Sequence, residues 1–441
     1  MRITQLQMVI LAFVLLSAVG SSYAVPSFAR QTGLSCNTCH RNPPELTSFG
    51  RLFKLRGYNL AAIPSNERVG DSPDLRLSKL FPISAMVLVS NTAFQDTPPG
   101  TQNGAAGFPQ QASLFLAGSY ASHLGGFAQV TYTHSDDHFS MDNTDLRYGN
   151  HAKLLGTDVD YGVTLNNNPG VEDLWNSTPA WGFPYISSEA AVSPIASPVI
   201  NGGLAQDVAG LGAYTMWNNH LYANVTAYRS EHAGGSVPND GTDQAFNIHG
   251  AAPYWRVAWQ QFWDRSYLEV GTFGIYLNSY PGGVSGSTDR YVDSGIDFQY
   301  TLPVGADEFD VHGSYVHERA NMGATFEAGG ASQASHSLNT FKADAVYHFT
   351  NRYSATAAVF SMSGTADPLL YAPAPVSGSN NGSPASNGFI TQFAYWPVQN
   401  VGLHVNYTGY WKFNGAADNY DGANRNAADN GSVYMGVWLI F

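Results

Sequence analysis

From about residue 80 to the C-terminus, apolar and polar residues alternate one by one, in runs of about ten to fifteen residues separated by breaks. In VGLHVNYTGYWKF, Val401, Leu403, Val405, Tyr407, Trp411 and Phe413 share one face, with His404, Asn406, Thr408 and Lys412 on the other. LYANVTAYRS sets Leu221, Val225 and Ala227 against Asn224, Thr226 and Ser230, and FDVHGSYV repeats the theme from Phe309. Period two predicts β-strands with one apolar face. Apolar outside and polar inside is the arrangement of a membrane barrel with a wet lumen.

The breaks come in two sizes that alternate. Short ones fall near 123–126, 154–157, 218–221, 263–266, 302–307, 350–352 and 397–400. Longer polar, Gly-, Pro- or Asn-rich ones fall near 96–110, 137–141, 167–208, 233–247, 281–288, 322–335, 364–386 and 414–431. This predicts an all-β fold, a barrel of about sixteen antiparallel strands with short turns and both barrel ends on the periplasmic side. The chain closes on GSVYMGVWLIF, in which Val433, Met435, Val437, Leu439 and Phe441 alternate up to an aromatic terminus. That ending resembles the last strand of bacterial outer-membrane barrels. An edge strand of a soluble sheet is the alternative for this segment alone. A barrel this wide leaves an interior space.

Composition agrees with a strand-built exported protein. Charged residues are 12% of the chain, about half the usual share, while aromatics reach 13%. The opening MRITQLQMVILAFVLLSAVGSSYA has a basic start, an apolar run from Met8 to Val19 and small residues at Ser22 and Ala24. We read residues 1–24 as a cleaved secretory signal; a membrane anchor is the alternative. No later apolar stretch reaches the length of a membrane helix. A net charge of −13 argues against nucleic acid as a partner. Outer-membrane lipid is the expected surroundings.

Both cysteines of the chain lie in SCNTCH, where Cys36, Cys39 and His40 form C-x-x-C-H. This is the attachment motif of a c-type haem. Two thiols at this spacing add to the two vinyl groups of one porphyrin, and the adjoining imidazole becomes the proximal iron ligand. A disulfide suits the same compartment but leaves His40 without a role, and a zinc site needs further ligands. We expect one covalent haem c on a segment spanning 25–80, followed by a barrel over 81–441. After the motif, Pro44 is placed to open a short helix. There Leu46, Phe49 and Phe53 share a face that would cover the porphyrin, with Arg51, Lys54 and Arg56 turned away; packing of that face on the barrel wall is the alternative. Between Val25 and Leu80, His40 is the sole histidine and methionine is absent. A distal ligand must therefore come from Lys54 or Lys79, which are uncommon ligands, or from the barrel, or be absent. Met86, on the lumen face with Ser84 and Ser90, is the first choice, His312 and His404 the rivals, and lumen packing the ordinary role for Met86.

The stretch VPSFARQTGLSCNTCH, followed by PELTSFGRLFKLRGY and a barrel, resembles the fused monohaem cytochrome–porins of bacterial outer membranes. Their characterised members are iron-oxidising cytochromes. The resemblance implies that the short cytochrome segment plugs the barrel and that its haem passes single electrons from extracellular Fe(II) to a soluble periplasmic cytochrome. It also implies thioethers at Cys36 and Cys39 and iron at His40. In the loop reading HSDDHFSMDNTD, Asp136, Asp137 and Asp142 beside His138 offer hard oxygen ligands for Fe(II) entry; an ordinary solvated loop is the alternative. Three further readings stay open: the same conduit with another donor, a solute porin with a haem-bearing structural plug, and a haem enzyme with an open iron position.

Overall fold

The structure is a computed structural model describing residues 26–41, 43–59, 68–69, 77–78, 82–176, 183–231, 246–350 and 352–441. The expected signal segment 1–24 and Lys79 lie outside these. Sixteen long antiparallel strands, each paired with its sequence neighbour, form one closed barrel. They are β1 (Ile83–Phe94), β2 (Ala106–Ala121), β3 (Leu124–Thr133), β4 (His138–Leu154), β5 (Thr157–Asn166), β6 (Val208–Trp217), β7 (Leu221–Ser230) and β8 (Ala252–Trp263). They continue as β9 (Ser266–Tyr280), β10 (Asp289–Val304), β11 (Asp307–Asn321), β12 (Ser335–Phe349), β13 (Tyr353–Gly364), β14 (Ser386–Val398), β15 (Val401–Lys412) and β16 (Ser432–Ile440). The seam is β16 on β1, with Val437 opposite Val89. Closure removes the exposed edges on which a spanning sheet would leave backbone groups unpaired in lipid.

Alternation sorts the side chains. Leu211, Val225 and Ile296 point outward and are 67%, 63% and 60% exposed, forming part of a lipid-facing band. Their strand neighbours Tyr222, Tyr228, Thr226 and Asp297 are buried in the lumen. The exterior is apolar and the interior polar, and the protein is an outer-membrane barrel. The turns at one end hold two or three residues, such as 155–156, where Leu155 (φ 52°) and Gly156 (φ 80°) both adopt the left-handed conformation. Two such residues match the twist of a tight hairpin. The β14–β15 turn at 399–400 belongs to this end, as do the start of β1 and the end of β16.

Two details depart from the sequence reading. The break expected at 137–141 is strand from His138 onward, so this outer connection is only 134–137. Phe413 does not face lipid: β15 ends at Lys412, the chain doubles back, and Phe413 is fully buried against Tyr420 and Ala427.

Ahead of the barrel, among the described residues, come three short helices, α1 (Pro26–Thr32), α2 (Cys36–Cys39) and α3 (Ser48–Leu55). Their contacts reach strands on several sides of the lumen, so the segment fills the barrel from its short-turn end. The described parts of the long β5–β6 connection, 167–176 and 183–207, fold inward as well. Its Trp175 carbonyl accepts from Leu46 N at 3.0 Å, Val199 N donates to Glu318 at 2.9 Å, and Ile186 packs on Leu88 and Tyr434.

Candidate functional site

The motif residues occupy one helical turn. His40 N donates to the Cys36 carbonyl at 2.8 Å, which brings both thiols and the imidazole to one small region. Cys36, Cys39 and His40 are all half-buried, and the cysteines form no disulfide. His40 Nδ1 lies 3.2 Å from the Pro44 carbonyl. With the proton on Nδ1, that contact directs Nε2 outward as the metal-binding nitrogen.

The following chain braces this turn. Thr47 Oγ1 donates to Thr38 O at 2.6 Å, Thr47 N donates to Cys39 O at 2.9 Å, and Thr47 also caps α3 by accepting from Gly50 N at 3.2 Å. A Cβ on Gly50 would lie 2.3 Å from Cys39 O, so α3 and the motif meet at backbone contact. Of the expected cover residues, Leu46 is buried and its Cδ2 lies beside Gly50, while Phe49 is half-buried. Phe53 packs edge-on to Phe28 (5.1 Å) and Tyr58 (5.9 Å), and Tyr58 continues to Phe127 on the wall (5.9 Å). These rings join α1, α3 and β3 into one core.

Cations of the plug meet acids of the wall. Arg41 Nη1 donates to Asp310 at 2.7 Å and to Thr301 at 2.6 Å. Arg56 Nε donates to Asp160 at 2.9 Å. Lys54 Nζ donates to Asp173 O and to Asn176, both at 2.9 Å, which commits the one described lysine considered as a distal ligand. Glu45 accepts from Gln299 at 2.9 Å and lies 3.6 Å from His312. Tyr58 OH donates to Asp145 at 2.6 Å, and α1 is held by Ser84 and by the carbonyls of Ile83 and Ala117. Cys36 N donates to Gln399 Oε1 in the β14–β15 turn at 2.9 Å.

Fit is also steric. A Cβ on Gly149 of β4 would lie 2.3 Å from Leu55 O, and one on Gly125 of β3 would lie 2.5 Å from Gly57 O. The wall is thinned to bare backbone where the plug leans on it. Glycine within a strand marks such close approach, a signal present in HLGG that the sequence reading spent on a turn. Gln399 and Arg41 carried no local signal.

The rival distal ligands separate clearly. Met86 does share the lumen face with Ser84 and Leu88. His312 is engaged, with Nδ1 2.7 Å from Asp344 and Nε2 3.6 Å from Glu45. His404 on β15 is 3% exposed, and neither of its ring nitrogens has a hydrogen-bond partner. The expected Fe(II) entry residues are not assembled. Asp137 accepts from Tyr132 and Asp142 from Thr131, Asp136 and Asp137 are exposed, and no cluster of three metal-ligating side chains occurs among the described residues. A cavity of about 460 Å³ lies between the inward loop and β11–β16, with Lys342, Asp344, Met362 and Asn406 among its lining.

Comparison with known proteins returns outer-membrane porins. OprB of Pseudomonas putida is 11% identical over 81% of this chain and 93% of its own, with a TM-score of 0.50. An anion-selective porin from Comamonas acidovorans is 10% identical over 81% and 98%, with a TM-score of 0.48. OmpF of Salmonella typhi, in complex with daunomycin, is 12% identical over 81% and 97%, with a TM-score of 0.46. No family model and no curated protein matches the chain. Identities this low establish the barrel fold alone.

Proposed function

We propose that this outer-membrane barrel is an electron conduit: one haem c on Cys36, Cys39 and His40 takes single electrons from an extracellular donor, foremost Fe(II), and delivers them to a soluble periplasmic cytochrome. The observation that carries the reading is the C-x-x-C-H turn, with His40 Nδ1 directed at the Pro44 carbonyl and the turn braced by Gly50 inside the lumen. The bound haem would supply a one-electron carrier whose potential its axial ligands and surroundings set.

The chain's own residues would do the rest. Pro44 O orients the imidazole, and the Thr47 contacts hold the two cysteines in register with it. Arg41 and Arg56 fix the plug against the Asp310 and Asp160 carboxylates of the wall, and Lys54 against the Asp173 carbonyl of the inward loop, so the distance an electron must cover would not fluctuate with the plug. The inward-folded parts of the β5–β6 loop, 167–176 and 183–207, would limit access from the outer side. The tether of Cys36 to Gln399 puts the motif near the short-turn end, where a periplasmic acceptor would dock.

A solute porin with a structural plug is the second reading. It is favoured by the porin-type barrel and by the cavity along β11–β16. One pair of measurements separates the two. Oxidised purified protein is mixed with Fe(II), and with a panel of other donors, while haem absorbance is followed; proteoliposomes are tested for swelling in small sugars. Haem reduction by Fe(II) with little swelling is the expected result. Reduction only by another donor keeps the conduit and changes its substrate. Porin-like swelling with no redox response would sink the conduit.

A further inference from the structure

We propose that His404 is the distal axial ligand of the haem iron bound at His40, so that the barrel wall completes the coordination begun by the plug. This rests on the haem reading above and goes beyond it by naming the second ligand.

Buried polar atoms without partners are few in native proteins, and each needs a cause such as an ion or ligand. Seven such atoms lie on one stretch of the wall, and others lie elsewhere, among them Thr144 Oγ1, Arg147 Nη1, Arg256 Nε and Asp293 Oδ1. From β13 to β16, Ser354 Oγ, Thr356 Oγ1, Gln392 Oε1, Asn400 Oδ1, Trp438 Nε1 and both nitrogens of His404 lack partners. On the opposite side Arg147 joins Asp145 of the wall to Glu172 of the inward loop, and Glu172 also accepts from Asn224 and Thr226, although Arg147 Nη1 itself lacks a partner.

Within that region His404 alone carries a nitrogen able to bind iron. Its ring is held between two lumen-facing indoles, Trp396 at 5.5 Å and perpendicular, and Trp438 at 6.2 Å. Its register partners are Ala394 and Gly436, so no larger side chain stands beside it in that row. An ionisable group at membrane depth with nothing to bond is expected to have a functional partner.

Position supports the same assignment. The β14–β15 turn holds Cys36 N through Gln399, and β15 rises directly from that turn. His404 is the second inward residue on the strand, after Gly402, about 10 Å up from Val401 at the usual strand rise. The competitors each face an acid or an acceptor: His312 has Asp344 and Glu45, and His348 has Asp310 at 3.3 Å, although Nε2 of both lacks a hydrogen-bond partner, and Lys54 has its two acceptors. Met86 stands on β1, two strands away from β15 across β16.

The test uses the full-length, haem-matured protein and reads the iron's spin state and spectrum, not its activity. Wild type should be low-spin with two nitrogen ligands. His404→Ala should become high-spin and bind carbon monoxide, and added imidazole should restore the low-spin spectrum. His404→Met should gain the absorption band of a methionine–ferric pair and show a raised potential, as expected for a thioether ligand. Heat-modified migration on gels confirms that each variant retains its barrel. A folded His404→Ala protein with an unchanged low-spin spectrum overturns the assignment, and so does loss of the low-spin state in Met86→Ala instead. Wild type without covalent haem overturns the haem reading itself, a distinct failure seen before any variant is made.

Discussion

At the scale of single residues, bare backbone contact governs the site. Gly50 sits where a Cβ would meet Cys39 O at 2.3 Å, so Gly50→Ala must push α3 away from the motif. Overpacking of this kind costs about 1–3 kcal/mol. We expect the variant to attach less haem while the barrel still folds, measured as haem absorbance per folded protein. Arg41→Ala would leave Asp310, which is fully buried, without its guanidinium; breaking one side of a buried pair costs about 3 kcal/mol. The expected readout is faster protease cleavage within residues 26–59. The motif residues and the lumen position of His404 were legible in the sequence, because covalent spacing and period two are local signals. Which of the inward side chains Met86, His312 and His404 lacks a hydrogen-bond partner is not a local matter: only tertiary register shows it.

Elements show where local pattern reaches its limit. Strands β1 to β16 follow from alternation, and tight turns such as 155–156 from residues that accept positive φ. The inward fold of loop 167–207 does not follow, since its Val199, Ile200 and Trp175 are buried only because the lumen waits for them. The outer loops carry their own fastening. Asp367, at the start of the β13–β14 loop, is buried, which alone would raise its pKa. Hydrogen bonds from Leu370 N, His336, Leu369 N and Ser332 N outweigh that and hold it well below the ordinary carboxylate range. An acid depressed in the folded state stabilises above its unfolded pKa of about 3.9 and loses that contribution as pH falls from there toward the folded value. Hydrogen exchange in 365–385 should therefore accelerate below about pH 4, while the strands stay protected. Asp367→Asn should exchange faster at neutral pH and lose the acid dependence; unchanged exchange in that variant would refute the role.

For the molecule as a whole, plug and barrel behave as one fitted object. The plug's cations face acids of the lumen, and its backbone rests on Gly125 and Gly149 of the wall. The residue pattern shows the two parts, while their nesting entered only as what the resemblance implies, because nesting depends on contacts between residues hundreds of positions apart, such as Cys36 with Gln399. Removing residues 26–59 should raise single-channel conductance in planar bilayers well above that of the intact protein, which a lumen already open in the intact chain would not do. Biogenesis is constrained as well. The plug precedes β1 in the chain, its first helix is tied to Ile83 and Ser84, and β1 is also the strand that β16 must find to seal the ring. Once that seam zips, the ring surrounds the plug. On the haem reading proposed above, maturation enzymes would attach the porphyrin while the chain is still an unassembled client in the periplasm, and insertion would then commit whatever state the plug has reached.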